Sequence, residues 1–409
     1  MSIISTIEPY LIIFGSAMVM MLLSMLMDNH PTMKKYMFLI GWIAIILFVG
    51  LRDMTVGTDT DDYLQSFHHP ETGYGENGST DPGFQLYLYL THYLFFDSGT
   101  LFLLVSCLIG LGGIGHCIWH NSKQPVMSLM AFISFSTSTV FFFHSLSAVR
   151  QSIAEGLFLM ALSLYLGTTR EEHRLLTLRT EGKDVTKEEE EDIMESRNRG
   201  LSILLFIIAA SFHGSALAML PIVLAAPLLK NVNRWIWSAL IVGSYLISAF
   251  SPISVSDLVF MVFSVFGRGS DSYLSRYGSY SNFEQGEVTN TGILNPDLWP
   301  FALLAIIIVW RCDKVRLQSQ WTILFLLSVV FNNLFSDNII WGRLFIYLSL
   351  LSIVVVPNAI EQSKSWIYRG GFTLFAIYFI VRAVKILFAQ WLVPQGNIVA
   401  PYQFTNFTI

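Results

Sequence analysis

Residues 200–230 read GLSILLFIIAASFHGSALAMLPIVLAAPLLK, about thirty residues that are apolar except around His213 and Gly214. A helix needs roughly 20 residues to cross a bilayer. The stretch is therefore either one overlong crossing or an out-and-back pair of short helices with His213 at the tip. The choice sets the side on which every later loop lies, and the flanking charges decide it. With a hairpin, Lys34/Lys35, Lys123, Lys230/Arg234, Arg311/Lys314/Arg316 and Lys364/Arg369 all fall on one face, as the positive-inside rule asks of cytoplasmic loops. A single crossing would export Lys230, Arg234, Arg311, Lys314 and Arg316. Short helices at membrane depth are tolerated where they are buried in protein or line a wet cavity, so the hairpin points to a site.

Working outward, the chain is 53% hydrophobic and only 13% charged, which excludes a soluble core and marks an all-α polytopic membrane protein. Apolar runs stand at about 8–27, 36–51, 99–119, 125–143, 148–167, 200–212, 214–230, 234–250, 297–311, 320–335, 338–357 and 370–391, about 12 transmembrane helices in one domain, 1–409. The first run lacks a basic leader and a small-residue cleavage site, and is expected to be a retained span with the N-terminus outside. Two long exported segments follow, 51–98 and 251–296. The segment 169–199, with its acidic run Glu188–Glu191, belongs to the cytoplasmic face as a solvated loop. Within the first exported segment, Asp81-Pro82 opens an aromatic helix over Gly83–Phe96 that is expected to lie in the membrane interface. Cys107, Cys117 and Cys312 lack CxxC or Cys/His spacing, so neither a structural disulfide nor a zinc site is expected.

On this topology seven basic residues lie in or beside exported loops: Arg52, Arg150, Arg268, Arg276, Arg343, Arg382 and Lys385. Arginine suits phosphate because its planar fork binds two oxygens and keeps its proton. Arg52 opens the densest polar stretch, Leu51-Arg52-Asp53-Met54-Thr55-Val56-Gly57-Thr58-Asp59-Thr60-Asp61-Asp62-Tyr63. That stretch reads either as a solvated Asx-type turn at Gly57–Thr60 with Asp59 capping a short helix, or as a carboxylate poised to take a proton from a sugar hydroxyl. Arg150 pairs with Glu155, or with an aspartate of the first loop, or else faces a cavity and an anionic ligand. Arg343 has Asp337 as its plain partner, and Arg382 and Lys385 share a face of the last helix. Arg268 and Arg276 stand among Tyr273, Tyr277, Tyr280 and Phe283, a cluster suited to an interfacial belt or to carbohydrate faces. His213 is either a hydrogen-bonded structural group or a catalyst. No HExxH, P-loop or GxGxxG pattern appears, which argues against nucleotide-driven and metalloprotease chemistry, and no nucleic-acid partner is indicated.

Four elements together resemble the EpsG family of bacterial Wzy-type polysaccharide polymerases: Arg52-(x)₃-Val56-Gly57-Thr58-Asp59-Thr60-(x)₂-Tyr63, Val149-Arg150-Gln151-x-Ile153-Ala154, Phe212-His213-Gly214-Ser215-Ala216-Leu217 and Gly342-Arg343-(x)₃-Tyr347. The first is quite specific and the others are weak alone. Gly214 stands where the family usually has proline, and the exported loop around Arg268–Pro296 matches nothing in the family pattern. The resemblance implies a GT-C-like glycosyltransferase that needs no metal, cofactor or nucleotide sugar. It would be an O-antigen polymerase, moving a glycan from undecaprenyl diphosphate to the non-reducing end of a lipid-linked repeat unit at the periplasmic face of the inner membrane. Asp59 or His213, backed by Asp62, would be the catalytic base. Arg52, Arg150 and Arg343, with Arg276, would hold the diphosphate; Tyr63, Gln151, Tyr273 and Tyr277 would meet the glycan. Its implied partners are the lipid-linked oligosaccharide, membrane lipids and a chain-length regulator in the membrane. An O-antigen ligase would use the same donor. A lipid-linked oligosaccharide flippase would call for internal repeats and mid-membrane charges reachable from both sides.

Overall fold

Each expected apolar run contains a helix, since a chain in hydrocarbon must satisfy its backbone N–H and C=O groups within itself. The computed structural model describes residues 3–27, 29–72, 81–136, 141–167, 198–250, 295–335, 339–363, 365–392 and 402–403. In chain order the helices are α1 (Ile3–Leu26), α2 (Pro31–Gly50), α3 (Thr60–His68), α4 (Pro82–Leu94), α5 (Gly99–Asn121), α6 (Pro125–Ser134), α7 (Phe141–Ser147), α8 (Val149–Leu166) and α9 (Arg199–Phe212). Then come α10 (Ser215–Ala225), α11 (Arg234–Phe250), α12 (Trp299–Arg311), α13 (Lys314–Leu317), α14 (Gln320–Leu334), α15 (Ile339–Ser349), α16 (Ser352–Ser363) and α17 (Trp366–Leu392). No strand occurs among the described residues. Among the described residues five segments are long and apolar enough to cross a membrane alone: 7–26, 31–50, 99–121, 341–361 and 366–390. The protein is thus an all-α, multi-pass membrane protein. The loop 169–199, apart from its last two residues, and nearly all of 251–296 lie outside the described residues, and with them Arg268, Arg276, Tyr273 and Tyr277.

Side-chain exposure sorts the helices. Ile12, Ile40, Leu374 and Val381 are exposed on α1, α2 and α17, which is a fault in water and the expected outer wall in lipid. The 341–361 segment is 72% buried against 28% for 366–390, so α15 and α16 are central and α17 is peripheral. The tightest crossing is α5 on α8. A Cβ on Gly156 would sit 2.0 Å from the Gly110 carbonyl oxygen, and one on Gly113 would sit 2.3 Å from that of Gly156. Glycine at these positions lets two backbones touch where apolar surface gives little drive for association.

Hydrogen bonds define two ends of the helical body. At one end Lys34 Nζ donates to Gln124 Oε1 at 3.1 Å, Gln124 bonds Glu361, and Arg369 reaches Glu361 at 3.5 Å and the Met25 carbonyl at 3.1 Å. Asn358 accepts from Lys123 N at 2.7 Å, and its own carbonyl accepts from Arg316 at 3.3 Å. Lys34, Lys123, Arg316 and Arg369, grouped by the positive-inside argument, therefore share one end. At the other end Tyr10, Phe48, Phe142, Phe143 and Tyr402 form an aromatic cluster in which Tyr402 stacks on Phe48 at 4.0 Å. The helices α9 and α10 run out and back between the ends, as a hairpin requires. Ser202 on α9 donates to the Ala161 carbonyl, the tip at Gly214 lies against Asp81, and Asn231 beyond α10 meets Gln318.

Three details depart from the run boundaries. The run 125–143 is two helices, α6 and α7, parted at Phe135. The run 338–357 tightens at its middle, where Leu351, Ile353 and Val354 N–H groups bond three residues back rather than four, a 3₁₀ stretch inside a membrane helix. The helix after Asp81-Pro82 covers 82–94 and leaves Leu86, Leu90, Tyr93 and Leu94 exposed. This one-sided apolar stripe is what an interfacial helix presents.

Candidate active site

The loop that leaves α2 is built around Arg52, whose side chain is 1% exposed. Its Nη1 turns back to the Val49 carbonyl at 2.6 Å and its Nε reaches Thr60 Oγ1 at 3.3 Å. Thr60 in turn donates to the Val56 carbonyl at 2.7 Å, so the guanidinium holds both ends of the loop. Gly57 between them has φ +95°, and a Cβ there would lie 2.1 Å from the Leu146 carbonyl oxygen. Only glycine takes that conformation without strain and fits the space. From beneath, Gln403 accepts from Asp53 N–H at 2.8 Å. Arg52 was expected at the diphosphate; the structure places it inside as a brace. The expected Asx-type turn is also displaced: Asp53 Oδ1 accepts from Thr55 N and Oγ1 at 3.1 and 2.9 Å, and Asp59 starts α3 without its side chain capping it.

That bracing delivers Asp59 to the end opposite Lys34. Its carboxyl is pushed above the ordinary aspartate range by burial, with the Arg343 charge pulling the other way, the Asp62 charge adding to the rise, and His144 and Arg150 opposing it. Asp62 is exposed one turn on, while Tyr63 is buried and meets Phe84 edge-on. Tyr63 thus packs α3 on α4, where a glycan contact was expected.

Arg150 lies in the first turn of α8, where the helix dipole favours anions and disfavours a cation. Asp81 compensates it: Arg150 Nη1 donates to Asp81 Oδ2 at 2.7 Å. The same carboxylate accepts the Gly214 N–H, and burial raises its pKa against the pull of Arg150. One aspartate thus ties the start of α8 to the tip of the α9–α10 hairpin. Glu155, the other expected partner of Arg150, instead faces His144 Nε2 at 3.0 Å, both buried. Gln151 donates to the Arg343 carbonyl at 2.8 Å and so fixes α15 against α8, another position where a glycan contact was expected.

Arg343 differs from the other arginines. It is exposed on α15 and its guanidinium makes no hydrogen bond or ion pair among the described residues, while its charge acts on both Asp59 and His213. Asp337, its expected partner, lies outside the described residues. His213 caps α9 in extended conformation. Its Nδ1 is held by Ser215 Oγ at 3.0 Å, and Ser215 bridges to Tyr347 OH at 3.0 Å. Tyr347 is fully buried one helical turn after Arg343. Arg382, by contrast, is committed to Asp297, the Pro296 carbonyl and Ser136, which makes it a clamp between α17 and the start of α12.

The structure therefore gathers Asp59, Asp62, Arg150, His213 and Arg343 at one end, and adds Asp81, His144, Ser215 and Tyr347, which the sequence left without individual roles, and Glu155, which was expected to pair with Arg150. The signals for two of these were present: Tyr347 sits four residues after Arg343, on one helical face, and Asp81 is the first-loop aspartate required to balance Arg150. A multi-pass membrane protein with an arginine, carboxylate and histidine constellation at one helical end is the class that fold and site define. A family model for the EpsG family matches residues 35–176 and 193–404, and the chain belongs to that family. No curated protein and no solved structure shows significant similarity to it. Family membership points to a polysaccharide-polymerase-like function of glycosyltransferase type.

Proposed function

We propose that this protein is an O-antigen-type polysaccharide polymerase. It transfers a growing glycan from its undecaprenyl diphosphate carrier to the non-reducing end of a lipid-linked repeat unit, at the periplasmic face of the bacterial inner membrane. The observation that carries the proposal is Arg343: an exposed arginine without an ion pair among the described residues, electrostatically coupled to Asp59 and His213. An exposed cation that makes no hydrogen bond or ion pair among the described residues is suited to an anionic ligand.

In this reading the diphosphate rests against Arg343, with Arg150 and the uncapped start of α8 beside it. Both favour negative charge as the anomeric carbon–oxygen bond breaks toward the leaving diphosphate. The acceptor hydroxyl attacks the anomeric carbon and gives its proton to Asp59 or His213. The Arg343 charge pulls the Asp59 carboxyl down against the larger upward effect of burial. His213 has Nδ1 fixed by Ser215, leaving Nε2 as the nitrogen that reaches substrate. The sidedness rests on the basic residues gathered at the Lys34 end, which the positive-inside rule makes cytoplasmic.

The test is deletion in the native host followed by complementation with Arg343→Ala, Asp59→Ala or Arg150→Ala, reading the surface polysaccharide ladder on a gel. Single repeat units on the lipid acceptor without a ladder support a polymerase. Complete loss of the repeat unit points to a ligase or flippase instead, and an unchanged ladder in all three variants would overturn the site.

A further inference from the structure

The Lys34 end carries a feature that catalysis at the opposite end does not use. A cleft of about 360 Å³ opens between the α10–α11 turn and α13, lined by Lys230, Asn231, Asn233, Arg234, Lys314 and Gln318. Lys230 and Arg234 are half-buried and Lys314 is exposed. Among the described residues none of the three cations forms an ion pair. Arg234 lies over the Trp310 ring at 5.8 Å. The carboxylate next in sequence, Asp313, is turned to Arg316, accepting its backbone N–H at 2.8 Å and standing 4.0 Å from its Nε. The remaining polar lining is amide: Asn233 Oδ1 accepts from Trp235 N–H at 3.0 Å, which leaves its side-chain N–H groups as donors. Three cations and amide donors converging without a carboxylate are the chemistry of a phosphate cradle.

One wall of the cleft continues onto apolar surface. Trp235 packs edge-on against Trp310 at 4.6 Å, and Leu228, Trp235 and Ile236 are 83%, 67% and 53% exposed. Free phosphate has no use for such a wall, whereas a lipid carries its phosphate next to acyl chains. Basic clefts between helices at the cytoplasmic side suit acidic headgroups for this reason. We propose that this cleft binds the phosphate headgroup of an acidic phospholipid, with the acyl chains lying along Leu228, Trp235 and Ile236. The proposal is independent of the polymerase reading and concerns the other end of the molecule.

The experiment uses the purified full-length protein in neutral detergent, titrated with phosphatidylglycerol, phosphatidylcholine or inorganic phosphate, with bound lipid counted by native mass spectrometry. Phosphatidylglycerol should be retained in preference to phosphatidylcholine. Its affinity should fall roughly fivefold for each of Lys230→Gln, Arg234→Gln and Lys314→Gln, and on the order of a hundredfold in the triple variant. Trp235→Ala should weaken the lipid, and Lys35→Gln, at the same end but outside the cleft, should change nothing. Lys314→Gln, exposed and unbonded, keeps the test valid if the triple variant fails to fold. Equal retention of the two lipids, an unchanged triple variant, or displacement of phosphatidylglycerol by millimolar phosphate with no effect of Trp235→Ala would each overturn the proposal.

Discussion

Replacing Arg150 by glutamine would leave Asp81 facing the hairpin tip without its cation, and the size of the resulting loss follows from the burial of the pair. The two side chains are 20% and 16% exposed and 2.7 Å apart, between the exposed pairs that contribute about 0–1 kcal/mol and the buried pairs whose breakage costs about 3–5 kcal/mol. Asp81 keeps the Gly214 N–H, so the single change should cost about 2 kcal/mol. Asp81→Asn keeps the acceptor for Gly214, removes the charge, and strands Arg150 at the positive end of α8, for a similar cost. The double variant should then be more stable than the sum of the singles by about 1–2 kcal/mol, measured as thermal unfolding of the detergent-solubilised protein. Activity is the sharper readout. If Arg150 serves the substrate as well as Asp81, Arg150→Gln/Asp81→Asn regains stability but no polysaccharide ladder. A double variant that restores the ladder would reduce Arg150 to a structural counter-ion and remove it from the proposed phosphate site.

Arg343→Gln should abolish the ladder while leaving the unfolding free energy within about 0.5 kcal/mol of wild type, because the side chain is exposed and bonds nothing described; a larger loss of stability would place it among the structural arginines. Gly57→Ala should remove folded protein from the membrane fraction, since its Cβ would meet the Leu146 carbonyl at 2.1 Å at a backbone angle of φ +95°; normal expression and ladder would contradict the described loop. Asp59 carries an upward-shifted carboxyl, so its contribution to stability is present at low pH and is lost as pH rises through the folded value. Asp59→Asn should therefore raise the melting temperature at neutral pH while ending polymerisation, and a variant that is destabilised there refutes the burial argument. As a base Asp59 must be ionised, so the acid limb of transfer activity should lie above the ordinary aspartate range. It should move to lower pH in Asp62→Asn, which removes a charge that raises Asp59; an unmoved limb would assign the base to another group.

The helical body was readable because a membrane turns hydropathy into geometry. Apolar runs had to become helices, and the placement of Lys34, Lys123, Arg316 and Arg369 at one end follows from charge alone. The break in the 338–357 run was not readable, because Leu350, Leu351 and Ile353 are as apolar as their neighbours and only the span of the hydrogen bonds, three residues rather than four, distinguishes a 3₁₀ turn from α-helix. The site divides in a similar way. Sequence supplies which residues are polar in an apolar chain, and so Asp59, Arg150, His213 and Arg343 stood out as candidates. It does not supply direction, and direction separates Arg52 from Arg343: one guanidinium turns back into its own loop, the other turns out.

That difference reshapes the case for phosphate binding. A cation is useful to a ligand in proportion to the part of its charge that the protein leaves unmatched. Arg52 turns Nη1 and Nε to Val49 and Thr60 and keeps Nη2 buried without a hydrogen-bond partner among the described residues, and Arg382 spends its donors on Asp297, Pro296 and Ser136. Arg150 is committed to Asp81. Of the arginines expected on the exported side and described by the structure, Arg343 alone offers a full fork, and Asp59 and His213, on which its charge acts, are the groups proposed to take a proton. The committed arginines are not idle in this scheme. Arg52 holds the loop that presents Asp59, and the Arg150–Asp81 pair holds the tip that presents His213, so two of the three arginines set the geometry from two sides and the third, Arg343, is the one proposed to give its whole fork to the substrate.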